Sequence, residues 1–332
     1  MQTGCKKKLA ALITFFIAAA STPALAAPNV SLETARVAFN HGRADDALRA
    51  LDSTLKLNPE DAAAWNLQCR VYLSQGRWDA AVASCQRAVQ IAPVNSEFHV
   101  WMGRAYGEKA RQSSLVAAYK IAKLVHSEFE TAVRLDGKNP QALSDLGQYY
   151  VEAPRMLGGG YAKAQEMAQR LNPIDPVRAE ELRALIAEAK KDYADSERSW
   201  RARIAASQSS PDTAAQAWID MGSFFRRRGR FDEMLAALKS GAAADTDHGP
   251  ALVDGASTLI EAGREPKLAE QWLRAYLDGN HLSDTAPAFA VHVELGDLLK
   301  KQGDVQAANR QFAAAHAMSA TYPEPATIST GE

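Results

Sequence analysis

Three arginines, Arg36, Arg70 and Arg104, stand 34 residues apart along the chain. A guanidinium offers a carboxylate or phosphate two parallel N–H donors and keeps its charge at any physiological pH. Three of them in a row would form a wall for an anionic ligand, provided the chain repeats its structure with the period of its arginines. Asn66 could add an amide and Trp101 a stacking plane to that wall. A second basic cluster is Arg226-Arg227-Arg228-Gly229-Arg230. It falls at the end of a helical pattern, where cations meet the negative end of the helix dipole. An acidic partner or an anionic lipid headgroup is its alternative use.

Residues for bond-making chemistry do not occur in the patterns that chemistry needs. The sequence holds no H-E-x-x-H, no G-x-S-x-G, no C-x-x-C and no Walker motif. Asp245-Thr246-Asp247-His248 groups two carboxylates and an imidazole, types a metal would accept. The cluster lies between two helical patterns, and a solvated turn is the simpler reading. Gly158-Gly159-Gly160 could present backbone amides to a phosphate. No Lys-Ser/Thr follows it, so turn flexibility is the simpler reading there too. No enzyme activity, cofactor or metal is expected.

The elements that position the arginines follow from the period. Ala62 to Asn95 reads AAAWNLQCRVYLSQGRWDAAVASCQRAVQIAPVN, and Gly42, Ala47 and Pro59 precede Gly76, Ala81 and Pro93 by 34 residues. A fixed period of this size means stacked supersecondary units. Trp65, Gln68, Cys69 and Tyr72 recur at i, i+3, i+4 and i+7, one face of a first helix. Gly76 ends that helix. Ala81, Cys85 and Ala88 are small residues that let a second, antiparallel helix come close. Prolines at 59, 93, 140, 176, 211, 250 and 287 mark unit boundaries, since proline starts or ends helices.

The order of large residue, Leu-Gly-like pair, Tyr, Gly, Ala, aromatic, Ala and Pro resembles the tetratricopeptide repeat. About eight such units can be written between Asn29 and Tyr322. The match is strong in the second, third, fourth, sixth and eighth units. The fifth is degenerate, with Ser196 and Arg203 where small apolar residues are preferred. The third unit carries about ten extra residues within Glu108–Val125, and the fourth about five within Glu152–Gly160. The resemblance implies an all-α fold, an α-solenoid forming a right-handed superhelix. Its first helices would line a concave groove, with the residue after each small position facing it. Those residues are Arg36, Arg70 and Arg104, with Asn66 and Trp101 beside them. The Lys and Asn residues of the family's two-carboxylate clamp are absent at the matching positions. The implied function is a non-enzymatic scaffold that holds a protein or peptide, acidic or presenting a C-terminal carboxylate. Competing readings are an accessory subunit of an envelope enzyme complex and a receptor for a small anionic or cell-wall ligand near the 154–160 loop. The plain alternative for Arg104 is a surface ion pair with Glu97 or Glu108.

Residues 1–26 read as a cleavable signal peptide: Lys6, Lys7 and Lys8, an apolar run from Leu9 to Ala20, and a cleavage pattern ending near Ala26. The run is about half the length of a membrane span, so a periplasmic or secreted protein is expected. Units one to four would occupy 28–175, the degenerate unit 176–214, the remaining units 215–322, and a disordered tail 323–332. Losing the three lysines takes the formal charge from −1 to −4, which argues against a nucleic-acid partner. Cys69 and Cys85 lie on either side of the Gly76 turn. In an oxidising compartment they either form a disulfide or pack as two small buried residues.

Overall fold

The structure, a computed structural model, describes residues 30–280 and 282–322; the expected signal peptide and polar tail lie outside the described residues. The described residues form sixteen α-helices and no strand. They pair into eight antiparallel hairpins: α1 (Val30–Asn40) with α2 (Ala44–Leu57), α3 (Ala62–Ser74) with α4 (Trp78–Ile91), α5 (Ser96–Arg111) with α6 (Leu115–Leu135), and α7 (Pro140–Glu152) with α8 (Tyr161–Leu171). The later hairpins are α9 (Pro176–Ala189) with α10 (Tyr193–Ala206), α11 (Pro211–Arg227) with α12 (Phe231–Ala244), α13 (Pro250–Glu261) with α14 (Pro266–Asp278), and α15 (Ala288–Lys301) with α16 (Val305–Met318). Each hairpin packs mainly on the next, as a solenoid requires.

Local chemistry sets these boundaries. Asp61, Asn95 and Asn139 cap first helices by accepting from backbone N–H groups two or three residues on. Gly76 sits at φ +69°, and the chain turns there through Gly76 N–H to Leu73 O and Arg77 N–H to Tyr72 O. In the degenerate fifth unit Lys191 takes the same left-handed turn at φ +64°, at a steric cost that glycine avoids. Close packing fixes another position: a Cβ on Gly103 would stand 2.4 Å from the Phe129 ring. Proline opens α7, α9, α11, α13 and α14. The helix α11 begins at Pro211, inside the span assigned from sequence to the fifth unit.

The two insertions make different structures. The third unit's becomes helix, lengthening α5 to 16 residues and α6 to 21. The fourth unit's becomes a loop with a short 3-10 turn at Arg155–Leu157, which packs on α6.

The solenoid also closes on itself. Phe289 and Ala315 of the last unit share one core with Ala35, Phe39, Ala47 and Leu67 of the first two. The Phe289 and Tyr322 rings meet edge to face at 4.8 Å. Polar contacts reinforce the seam. Arg70 pairs with Asp284, the Gln75 amide donates to Asp45 and Ser319, and Ala320 N–H donates to Asp45. The eight hairpins therefore close into a ring, with the start of α15 and the end of α16 meeting the turns that follow α1 and α3.

Candidate functional site

The arginine row is real as a spatial feature. Trp101 lies between two guanidiniums, with the Arg70 and Arg104 Cζ atoms each 4.7 Å from its ring centroid. Burial lowers the pKa of Arg70, with Glu97 opposing the shift and the nearby positive charges of Arg36 and Arg104 adding to it. The guanidinium remains charged, since arginine titrates far above physiological pH. Arg70 thus feels the charges of the arginines on the first helices before and after it. Asn66, one turn before Arg70 on α3, is 5% exposed, and its Oδ1 has no hydrogen-bond partner.

The row is not three free cations. Arg104 binds Asp145 of α7 in bidentate fashion, Nε to Oδ2 at 2.6 Å and Nη2 to Oδ1 at 3.1 Å. Its partner is thus in the next unit, not Glu97 or Glu108; Glu108 pairs with Arg111. Arg70 pairs with Asp284 across the ring seam. Arg36 is half-exposed and has only a loose pair with Glu33, one turn away, at 3.7 Å. Arg36 is therefore the member of the row most open to a ligand.

Past Arg104 the charge on the first helices changes sign. Asp145 of α7 is followed by Glu181 on α9, Asp220 on α11, Asp254 on α13, and Glu294 and Asp297 on α15. Polar contacts chain several of them together. Arg203 of α10, 5% exposed, pairs with both Glu181 and Asp220. Gln216 donates to Asp220 at 3.1 Å and to Asp254 at 2.9 Å, and Ser257 donates to Glu294 at 2.6 Å. A cleft of about 400 Å³ opens where α13 and α15 splay apart. Asp254, Glu294 and Asp297 line it beside Val253, Pro287 and Tyr322. Burial raises the pKa of each of the three carboxylates. The Gln216 and Ser257 hydrogen bonds offset part of the rise for Asp254 and Glu294, and Lys301 and Lys300 offset part for Asp297.

This acidic row carries a pH signature. Between the ordinary carboxylate value and the raised folded value, the folded chain holds protons that the unfolded chain has released. Stability therefore falls as pH rises through that window. The double variant Asp254→Asn/Glu294→Gln is expected to be more stable than wild type at neutral pH and to have a shallower slope, with Asp297 still contributing. Urea midpoints between pH ~4 and ~7 check this; an unchanged slope would place the protonation elsewhere.

Cys69 and Cys85 are joined, with Cα atoms 5.2 Å apart, and pack against Met102 and Ala105. The second basic cluster is taken up by contacts within the chain. Arg226 pairs with Glu261 at 2.8 Å, and Arg227 binds Glu188 through two bonds of 2.8 and 2.9 Å. Arg228 lies 4.1 Å over the Tyr193 ring, and Arg230 holds Glu197 and Glu233. These arginines lock neighbouring units together instead of forming an anion patch. In the glycine triplet all three N–H groups are spent internally, on Arg155, Pro154 and Tyr150 carbonyls. None is left to cradle a phosphate. In the 245–248 turn the Asp245 carboxylate accepts from Gly249 N–H at 2.8 Å. Among the described residues no helix is long and apolar enough to cross a membrane.

Sequence reasoning missed the acidic row. Four of its members stand just before the small position: Asp145, Asp220 and Glu294 two residues ahead of Gly147, Gly222 and Gly296, and Asp254 one residue ahead of Gly255, while Asp297 follows Gly296. Aligning the units on that glycine would have exposed the row.

Residues 32–96 match the family profile of the tetratricopeptide repeat. Among curated proteins the chain is 26% identical over 211 residues to mouse Superkiller complex protein 3, an alignment covering 62% of this chain and 13% of the mouse protein. It is 25% identical over 210 residues to the human protein of the same name, with the same coverage. The chain thus spans about an eighth of the length of these curated relatives. Among solved structures, yeast Tom70 superposes with a TM-score of 0.50 at 15% identity, covering 83% of this chain and 55% of that one. A tetratricopeptide repeat protein from Parabacteroides merdae gives 0.48 at 14% identity, covering 82% of this chain and 96% of that one. At 15% identity the likeness to Tom70 speaks for the fold alone.

Proposed function

We propose that this chain is an exported, non-enzymatic scaffold of tetratricopeptide-like units, and that it holds a protein or peptide segment along its first-helix wall. The observation that carries the reading is the Arg36–Arg70–Trp101–Arg104 row, in which the Trp101 ring stacks between two guanidiniums. An acidic stretch or a C-terminal carboxylate seats there, first on Arg36. The carboxylate-lined cleft between α13 and α15 takes the cationic side chains of the same segment, which gives the bound chain a direction. Helical repeats suit extended ligands because they present separated anchors on one continuous surface. Tetratricopeptide proteins bind protein partners, and the curated relatives are named for a complex.

The test uses displayed random peptides with free C-termini, selected on the purified protein and re-measured by fluorescence anisotropy. Amidating the C-terminus of an enriched peptide, or making Arg36→Glu, should weaken binding about tenfold, the worth of one charge-assisted contact. Arg36 carries no contact between units, so its variant keeps the fold. Peptides that bind equally well amidated and free, and equally well to both proteins, would remove the arginine row from the ligand site.

A further inference from the structure

The two insertions come together on one edge of the ring. Leu115, Tyr119, Ala122 and His126 follow one another at spacings of three and four residues, so they form a single stripe on α6. The C-terminal half of the stripe is covered by the fourth unit and its loop. His126 stacks on Tyr149 at 5.0 Å, and the Tyr149 hydroxyl donates to Ala122 O and Leu157 O. The N-terminal half has no cover. Leu115 is 89% exposed and its neighbour Val116 71%. Tyr119 is partly open, with the Lys123 ammonium 4.7 Å from its ring centroid.

Charge and shape both indicate what meets this tip. From Lys109 to Ser127 the sequence holds no carboxylate. Lys109 and Arg111 are neutralised by Asp79 and Glu108. Lys120 and Lys123 pair with no carboxylate, and both are exposed. The tip also stands at the end of a lengthened hairpin: the 16-residue α5 ends at Arg111, and the 21-residue α6 starts at Leu115 after a three-residue turn. The apolar side chains of an interfacial helix enter the headgroup layer in this way, flanked by cations. A second copy of this chain would bring the same positive tip against itself, and a protein groove would leave the flanking lysines to be paired one by one.

We propose that the α6 tip rests the ring on an anionic lipid surface, with Leu115, Val116 and Tyr119 entering the headgroup layer and Lys120 and Lys123 contacting lipid phosphates. The test is flotation of the purified full chain with phosphatidylcholine vesicles, with and without phosphatidylglycerol. Binding is expected only with the anionic lipid and should weaken with added salt. Lys120→Gln/Lys123→Gln should bind about thirtyfold more weakly, and Leu115→Ser/Val116→Ser should also lose binding, both with unchanged melting curves because the replaced side chains are exposed. Absence of binding to anionic vesicles, equal binding to neutral ones, or full binding by both variants would overturn the proposal. Tip-dependent capture of a protein without any vesicle binding would overturn it in favour of a protein partner.

Discussion

Arg70→Asp should open the ring and destabilise it by about 3 kcal/mol, the lower end of the cost of stripping one partner from a buried ion pair. The Arg70 and Asp284 side chains are 21% and 16% exposed, so solvent screens the pair only in part. The variant also sets two carboxylates against each other across the seam and removes one face of the stack on Trp101. Small-angle scattering should show an expanded particle, and urea unfolding should move to lower denaturant. The charge swap Arg70→Asp/Asp284→Arg should recover most of both effects, because it restores the pair without restoring either residue. Recovery by the swap assigns the loss to the seam itself. A variant as compact and as stable as wild type would mean that the apolar contacts of Phe39, Phe289 and Tyr322 hold the seam unaided.

Reducing the Cys69–Cys85 bond should cost a similar amount. The cysteines are 16 residues apart in sequence, and a loop of that size constrains the unfolded chain by about 3 kcal/mol. The loss should be local at first. The bond fastens α3 to α4 and packs against Met102 and Ala105 of the next unit, and a solenoid transmits strain mainly to its neighbours. Hydrogen exchange after reduction should rise first in α3, α4 and α5. Cys69→Ala/Cys85→Ala should reproduce the effect and become insensitive to reductant. A reduced protein that melts with the oxidised one would show that helix packing alone sets the stability of this hairpin.

Different parts of this molecule were legible in the sequence for different reasons. The period could be read because each unit needs the same small residues at the same close approaches; Gly103 against Phe129 is one case. The alignment of Arg36, Arg70 and Arg104 followed from that period, as did the placing of Cys69 and Cys85 within reach of each other. Whether the cysteines were joined was open, because spacing alone does not fix a Cα separation. Ring closure was not legible. It depends on the small rotation between units summed over eight of them, and its contacts, such as Arg70 with Asp284, link residues 214 apart in sequence. The partners of Arg226, Arg227 and Arg230 were hidden for the same reason, since most of them lie on neighbouring units. In the fifth unit Arg203 looked like a defect in the pattern. It is instead a buried cation that holds Glu181 and Asp220 together, so the pattern yields there to a polar link between units.

Closure fastens the last hairpin to the turns of the first two, and the distance across the seam tests it most directly. Spin labels at the exposed positions Arg49 on α2 and His316 on α16 report that distance by pulsed dipolar spectroscopy. A closed ring predicts one short, narrow distance distribution, which lengthens and broadens when Arg70→Asp is added. A long or broad distribution already present in the wild-type chain would contradict the ring.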